Sequence, residues 1–151
     1  MTKKKPNFLV DNESLLQKDQ SLMRKDSWLI SKDLFSSFRY ALQGFMYNLL
    51  TQRNFRIHVF VGIFVCIIAL WLNLPLYELA ILVLTIGLVL ILELINTSIE
   101  TVVDLVIGRE FNSLARISKD SAAAAVLVAS ICSILIGFFL ILPPLFNRLN
   151  L

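Results

Sequence analysis

Glu93, Asn96, Glu100 and Asp104 stand at i, i+3, i+7 and i+11 within residues 92–104. At about 100° per residue, these four positions of a helix fall inside an arc of roughly 80°. Three carboxylates and an amide on one stripe make a natural oxygen donor set for a divalent cation. Lys119 and Asp120 follow a loop that carries Arg109, Glu110 and Arg116. Carboxylates to hold Mg²⁺ beside cations to hold phosphate are the parts that phosphoryl transfer requires, since catalysis there is mostly positioning and charge neutralisation. Glu93 lies about 10 Å along the helix axis from Glu100, where a carboxylate could take the proton of a hydroxyl as general base.

The element that carries this stripe is apolar. Residues 79–92 run into it without Gly87 being followed by any turn signal, and Leu94, Ile95, Ile99, Val102, Val103, Leu105 and Val106 keep the other faces apolar as far as Gly108. An acid near the centre of a membrane span costs about 2.5–3.5 kcal/mol, whereas a Leu or Ile returns only about 0.3–0.6. The stripe must therefore face protein, water or a bound cation. An acidic helix end emerging into solvent is the plain alternative, and the apolar flanks argue against it.

The rest of the chain fits a small all-α membrane protein. Of 151 residues, 57% are apolar and 17% charged, which leaves no room for a large soluble domain. A polar tail over residues 1–30, with Lys3, Lys4 and Lys5, is expected to be disordered. From Ser31, a plausible N-cap, Leu34, Phe35, Phe38, Leu42, Phe45, Met46, Leu49 and Leu50 recur at helical spacing, so an amphipathic surface helix is expected over 31–54. Three spans follow at about 56–73, 76–107 and 121–142, the last stopped by Pro143 and Pro144. Together they form one membrane domain over 31–146. His58, the one histidine, is read as an interfacial hydrogen-bonding group, and Cys66 and Cys132 as small apolar side chains.

Charge orients the chain. Residues 1–56 hold ten of the fourteen Lys and Arg and five of the eleven acids. The 73–75 turn carries no cation, whereas the 108–119 loop carries three. The positive-inside rule thus puts the N-terminus, the surface helix and the acidic end of the second span in the cytoplasm. Nothing in the pattern calls for nucleic acid. Ala122 to Ala125, Ala129, Ser130, Ser133 and Gly137 in the third span allow close helix packing. Three spans alone make a thin enclosure for acids, so a homo-oligomer is expected.

Glu93-x-x-Asn96-x-x-x-Glu100-x-x-x-Asp104, followed by Leu114-Ala115-Arg116-Ile117-Ser118-Lys119-Asp120, resembles the signature of the small prokaryotic diacylglycerol kinases, a family that includes undecaprenol kinases. Phe38-x-Tyr40-Ala41-x-x-Gly44 and Arg53-Asn54-Phe55-Arg56-Ile57-His58 resemble that family's surface helix and first-span entry. The resemblance implies a homotrimer in the bacterial inner membrane, with active sites shared between neighbouring chains at the cytoplasmic face and ATP with Mg²⁺ phosphorylating a lipid alcohol. Diacylglycerol is the first expected substrate and undecaprenol the second; a non-catalytic scaffold is the contrasting reading. Carried over by motif, Glu93 is the base and touches the lipid together with Arg56. Glu100 ligates Mg²⁺, and Gln52 stands where the family has a second metal-binding glutamate. Tyr40, Asn96, Asp104, Lys119 and Asp120 match nucleotide-contacting positions, as do Glu110, Phe111 and Asn112, although Phe111-Asn112 replaces the family's usual Tyr-His.

Overall fold

The computed structural model describes residues 34–108 and 110–149. The expected tail, the Ser31 cap and Arg109 lie outside the described residues. All four described elements are helices: α1 (Leu34–Thr51), α2 (Arg53–Trp71), α3 (Leu76–Ile107) and α4 (Ser113–Leu149). The chain divides into two compact units, up to Gly44 and from Phe45 onward. In the first, Arg39 stands over the Tyr40 ring, 5.4 Å from its centroid, and Leu34, Phe35 and Phe38 are exposed.

The second unit holds the spans. α2, α3 and α4 are each long and apolar enough to cross a membrane; even the shortest, 19 residues, extends about 28 Å. α1 ends at Thr51, three residues before the expected boundary, because Gln52 is extended (φ −96°, ψ 115°) and breaks the helix. The new helix starts at once. Arg56 Nη1 donates to the Leu50 carbonyl at 2.8 Å, satisfying an end of α1, and Phe55 is fully buried with its ring edge-on to Phe45 at 5.2 Å.

The α2–α3 turn is built by one residue. Asn73 takes the left-handed conformation (φ 56°), which Asn tolerates better than most side chains. Its N–H donates to Leu70 O at 3.1 Å and the Leu74 N–H reaches back to Ala69 O at 3.1 Å, the two bonds of a Schellman closure. Leu74 is thereby turned inward, and Ala69, Leu72, Leu74 and Leu82 form the closed apolar core of this end.

α4 corrects one expectation. Pro143 and Pro144 lie inside it, and the helix continues to Leu149. Each proline deprives one carbonyl of a donor, but its fixed φ near −65° suits a helix, so the two cost hydrogen bonds without ending it. Beyond them Arg148 stands over the Trp71 ring at 4.7 Å. α3 packs most extensively on α4, with Leu82, Val89, Glu93, Asn96 and Thr97 on its buried stripe and Ala122, Val126 and Ala129 on the stripe of α4. Small residues on α4 let the backbones come close.

Candidate functional site

The inward stripe of α3 changes chemistry along its length. Leu82 and Val89 are buried apolar groups; one turn further, Glu93, Asn96 and Thr97 are buried polar ones, at 3%, 8% and 5% exposure. Glu100 stays half-buried and Asp104 exposed, whereas the single chain encloses the lower acid by itself. The reason lies in α4, whose alanines bring its backbone against α3. Measured along α3, Glu93 lies about 26 Å from Leu76, within a hydrocarbon layer of about 30 Å, and Asp104 about 42 Å, beyond it.

Asn96 Nδ2 donates to Glu100 Oε1 at 3.1 Å, one helical turn apart, so Asn96 holds the Glu100 carboxylate in place. Asn96 Oδ1 is buried and has no partner among the described residues. A buried acceptor without a donor is costly, and one lying beside a carboxylate suits a hard cation, which takes oxygen ligands. No described hydrogen bond joins the Glu93 carboxylate to another side chain, and His58 and Glu100 are its ionisable neighbours. Thr97, unremarked in the sequence motif, donates to Glu93 O at 3.1 Å and is spent on backbone. Its i+4 spacing from Glu93 was the available signal.

Asp104 leaves the stripe. It is largely exposed, and its carboxylate accepts a hydrogen bond from Lys119 Nζ on α4. Arg116 and Asp120 pair at 3.5 Å on the same helix. Asn112 Oδ1 accepts from the N–H groups of Leu114 at 2.9 Å and Ala115 at 3.2 Å, capping α4. Glu110, Phe111, Asn112, Arg116, Lys119 and Asp120 line an open cavity of about 240 Å³. Arg116 and Lys119 are balanced in this lining by Glu110 and Asp120, so the feature that favours an anion there is the positive end of a long helix.

The structure thus brings Glu93, Asn96 and Glu100 together, and separately Asp104, Glu110, Phe111, Asn112, Lys119 and Asp120. Gln52, half-buried at the α1–α2 break, donates from its amide to Thr51 Oγ1 at 3.4 Å, and no described contact joins it to Glu100. Arg56 is turned to the α1 carbonyl. Tyr40 belongs to the first unit, where it meets Arg39. Among the described residues no three of His, Cys, Asp and Glu cluster as a ready metal cage, so an Mg²⁺ held here would take Glu100 and Asn96 Oδ1 plus ligands from elsewhere, in keeping with that ion's habit of retaining waters and substrate phosphates.

A family model described as prokaryotic diacylglycerol kinase matches residues 39–141. The diacylglycerol kinase of Synechocystis sp. is 51% identical over 114 residues, 76% of this chain and 65% of that protein. The undecaprenol kinase of Bacillus subtilis is 39% identical over 111 residues, 74% of this chain and 89% of that protein. The diacylglycerol kinase of Escherichia coli is 32% identical over 96 residues, 64% of this chain and 78% of that protein.

Proposed function

The chain belongs to the prokaryotic diacylglycerol kinase family, and from its own residues we propose that it transfers the γ-phosphoryl group of ATP to a membrane lipid alcohol, diacylglycerol in the first place. The observation that carries the reading is vertical order on one helix: a buried carboxylate at membrane depth, a held carboxylate one to two turns above it, and above both a polar cavity that includes Arg116 and Lys119. A lipid hydroxyl arrives from the bilayer, a nucleotide from water, and the two meet along α3.

Each residue then has a task. Glu93 accepts the proton of the lipid hydroxyl, whose oxygen forms the new bond to phosphorus as ADP leaves. Asn96 fixes Glu100. Glu100 and Asn96 Oδ1 would hold Mg²⁺, which when bound supplies charge neutralisation to the phosphates. Lys119 and Arg116 attract the nucleotide, with Tyr40, Asp104, Glu110, Phe111, Asn112 and Asp120 around it. Arg56, beside the entry of α2, meets the lipid headgroup. Gln52 completes the metal site through its carbonyl or is bypassed by water. The site faces the cytoplasm of a bacterial plasma membrane, as the positive-inside pattern supports. A homotrimer with shared sites covers the exposed apolar faces and brings the further ligands that Glu100 lacks in one chain.

A substrate panel with Mg²⁺ titration tests the reading. Detergent-solubilised protein with labelled ATP is expected to phosphorylate diacylglycerol, and Gln52→Glu to lower the Mg²⁺ concentration needed. Preference for undecaprenol would move the assignment to that alcohol, and transfer to neither would sink it. An unchanged Mg²⁺ titration removes Gln52 from the metal site.

A further inference from the structure

The loop between α3 and α4 is held at its two ends and by nothing apolar. α3 stops at Gly108, whose φ of 60° is one that L side chains rarely adopt. Its N–H donates to Asp104 O at 2.9 Å, and the Glu110 N–H donates to Ile107 O at 3.2 Å. Glu110, Phe111 and Asn112 are all exposed, so burial does not fix them. The other end rests on Asn112. Its carbonyl accepts the Arg116 N–H at 3.1 Å, and its Oδ1 accepts the N–H groups of Leu114 and Ala115 at 2.9 and 3.2 Å, the bonds of a helix N-cap.

The cap bears on the cavity beside it. At about 100° per residue, Asn112, Arg116 and Lys119 (i, i+4, i+7) fall within an arc of about 60°, and all three line the cavity of about 240 Å³ together with Phe111. Where the first turn of α4 starts therefore decides where the two cations stand. The residue before the cap is Phe111, 83% exposed, and its direction follows from the backbone that Asn112 pins. The cap also closes two amides of the helix start to an incoming phosphate, so the field of the helix reaches an anion there but these N–H groups do not.

The motif match makes 112 a nucleotide-contacting position. We infer that Asn112 is instead a positioning residue of the nucleotide site: its side chain touches α4 and not the nucleotide, and it serves MgATP by holding Phe111, Arg116 and Lys119 in register. This rests on the kinase reading for the identity of the ligand. The competing task, a hydrogen bond from the Asn112 amide to the nucleotide, asks for the Nδ2 donor. The capping task asks for a short side chain that ends in an acceptor. Ser supplies the second without the first, and Gln, longer by a methylene, supplies the first and reaches past the two amides.

The test uses the full chain in mixed micelles, with Asn112→Ser, Asn112→Gln and Asn112→Ala read for both substrates and for amide hydrogen exchange at Leu114 and Ala115. Asn112→Gln and Asn112→Ala are each expected to raise the KM for MgATP roughly three- to tenfold, the equilibrium effect of one lost cap, with the lipid KM unmoved and faster exchange at both amides. Asn112→Ser is expected to restore the cap, with a KM for MgATP within about twofold of the natural value and slow exchange. Asn112→Ser and Asn112→Gln decide the question between them, since each keeps a polar side chain on an exposed loop. A natural KM in Asn112→Gln with a raised one in Asn112→Ser would overturn the assignment in favour of direct contact. A rise of equal size in all three, or no change in any, would overturn it too. Failure of the kinase reading looks different: the natural protein transfers phosphate to no lipid alcohol, while exchange at Leu114 and Ala115 still quickens in Asn112→Gln and Asn112→Ala.

Discussion

The two ends of the bundle solve opposite problems with the same stripe of α3. At the α2–α3 turn the stripe presents Leu82 to Ala69, Leu72 and Leu74, and the result is a core with no polar group in it. Eleven residues on, the same face presents Glu93 and then Asn96, and the result is a buried acid and an amide oxygen without a partner among the described residues. One end is closed and chemically silent. The other is closed equally well yet chemically unsatisfied, and a buried polar group left unsatisfied is tolerated where function requires it. Burial by itself therefore does not separate core from site here; the balance of hydrogen bonds does.

Substitutions at the two ends should separate along the same line. The largest effect is expected from Glu93→Gln, which keeps shape and hydrogen-bonding capacity but removes the base: turnover with saturating lipid and ATP should fall by about 10²–10⁴ while the thermal unfolding midpoint stays put. Retained turnover would reduce Glu93 to a structural group. Leu82→Ala should do the reverse, lowering stability by about 2–5 kcal/mol in a detergent unfolding titration while activity per folded molecule is kept. Lost activity in the folded fraction would show that the two ends are coupled. The smallest effect belongs to Lys119→Met. Its pair with Asp104 is largely exposed, so stability should move by less than about 1 kcal/mol, whereas the KM for MgATP should rise roughly tenfold or more through the lost charge-assisted contact. An unchanged nucleotide KM would take Lys119 out of the anion cavity.

Much of this was legible in residue order. The spacing of Glu93, Asn96 and Glu100 placed them on one face, and hydropathy and the cation-free 73–75 turn marked three spans. Asp104 shared the spacing but not the outcome, because its partner Lys119 is fifteen residues away and meets it only once α3 and α4 are in register. Pro143 and Pro144 misled because proline reads as a stop, although its φ fits the helix it weakens. His58 was readable as a lone interfacial group, and it is half-buried on α2. Gln52 was placed on a surface helix; it turned out to be the extended residue between two helices, which periodicity does not report.

The central claim is that Glu93 is present for chemistry and not to bond helices together. Glu93→Leu tests it in one sample, with phosphoryl transfer and thermal unfolding read in the same detergent. The account predicts no transfer and an unfolding midpoint equal to or above that of the natural protein, since an apolar group replaces a buried acid. A lowered midpoint with transfer intact would contradict it.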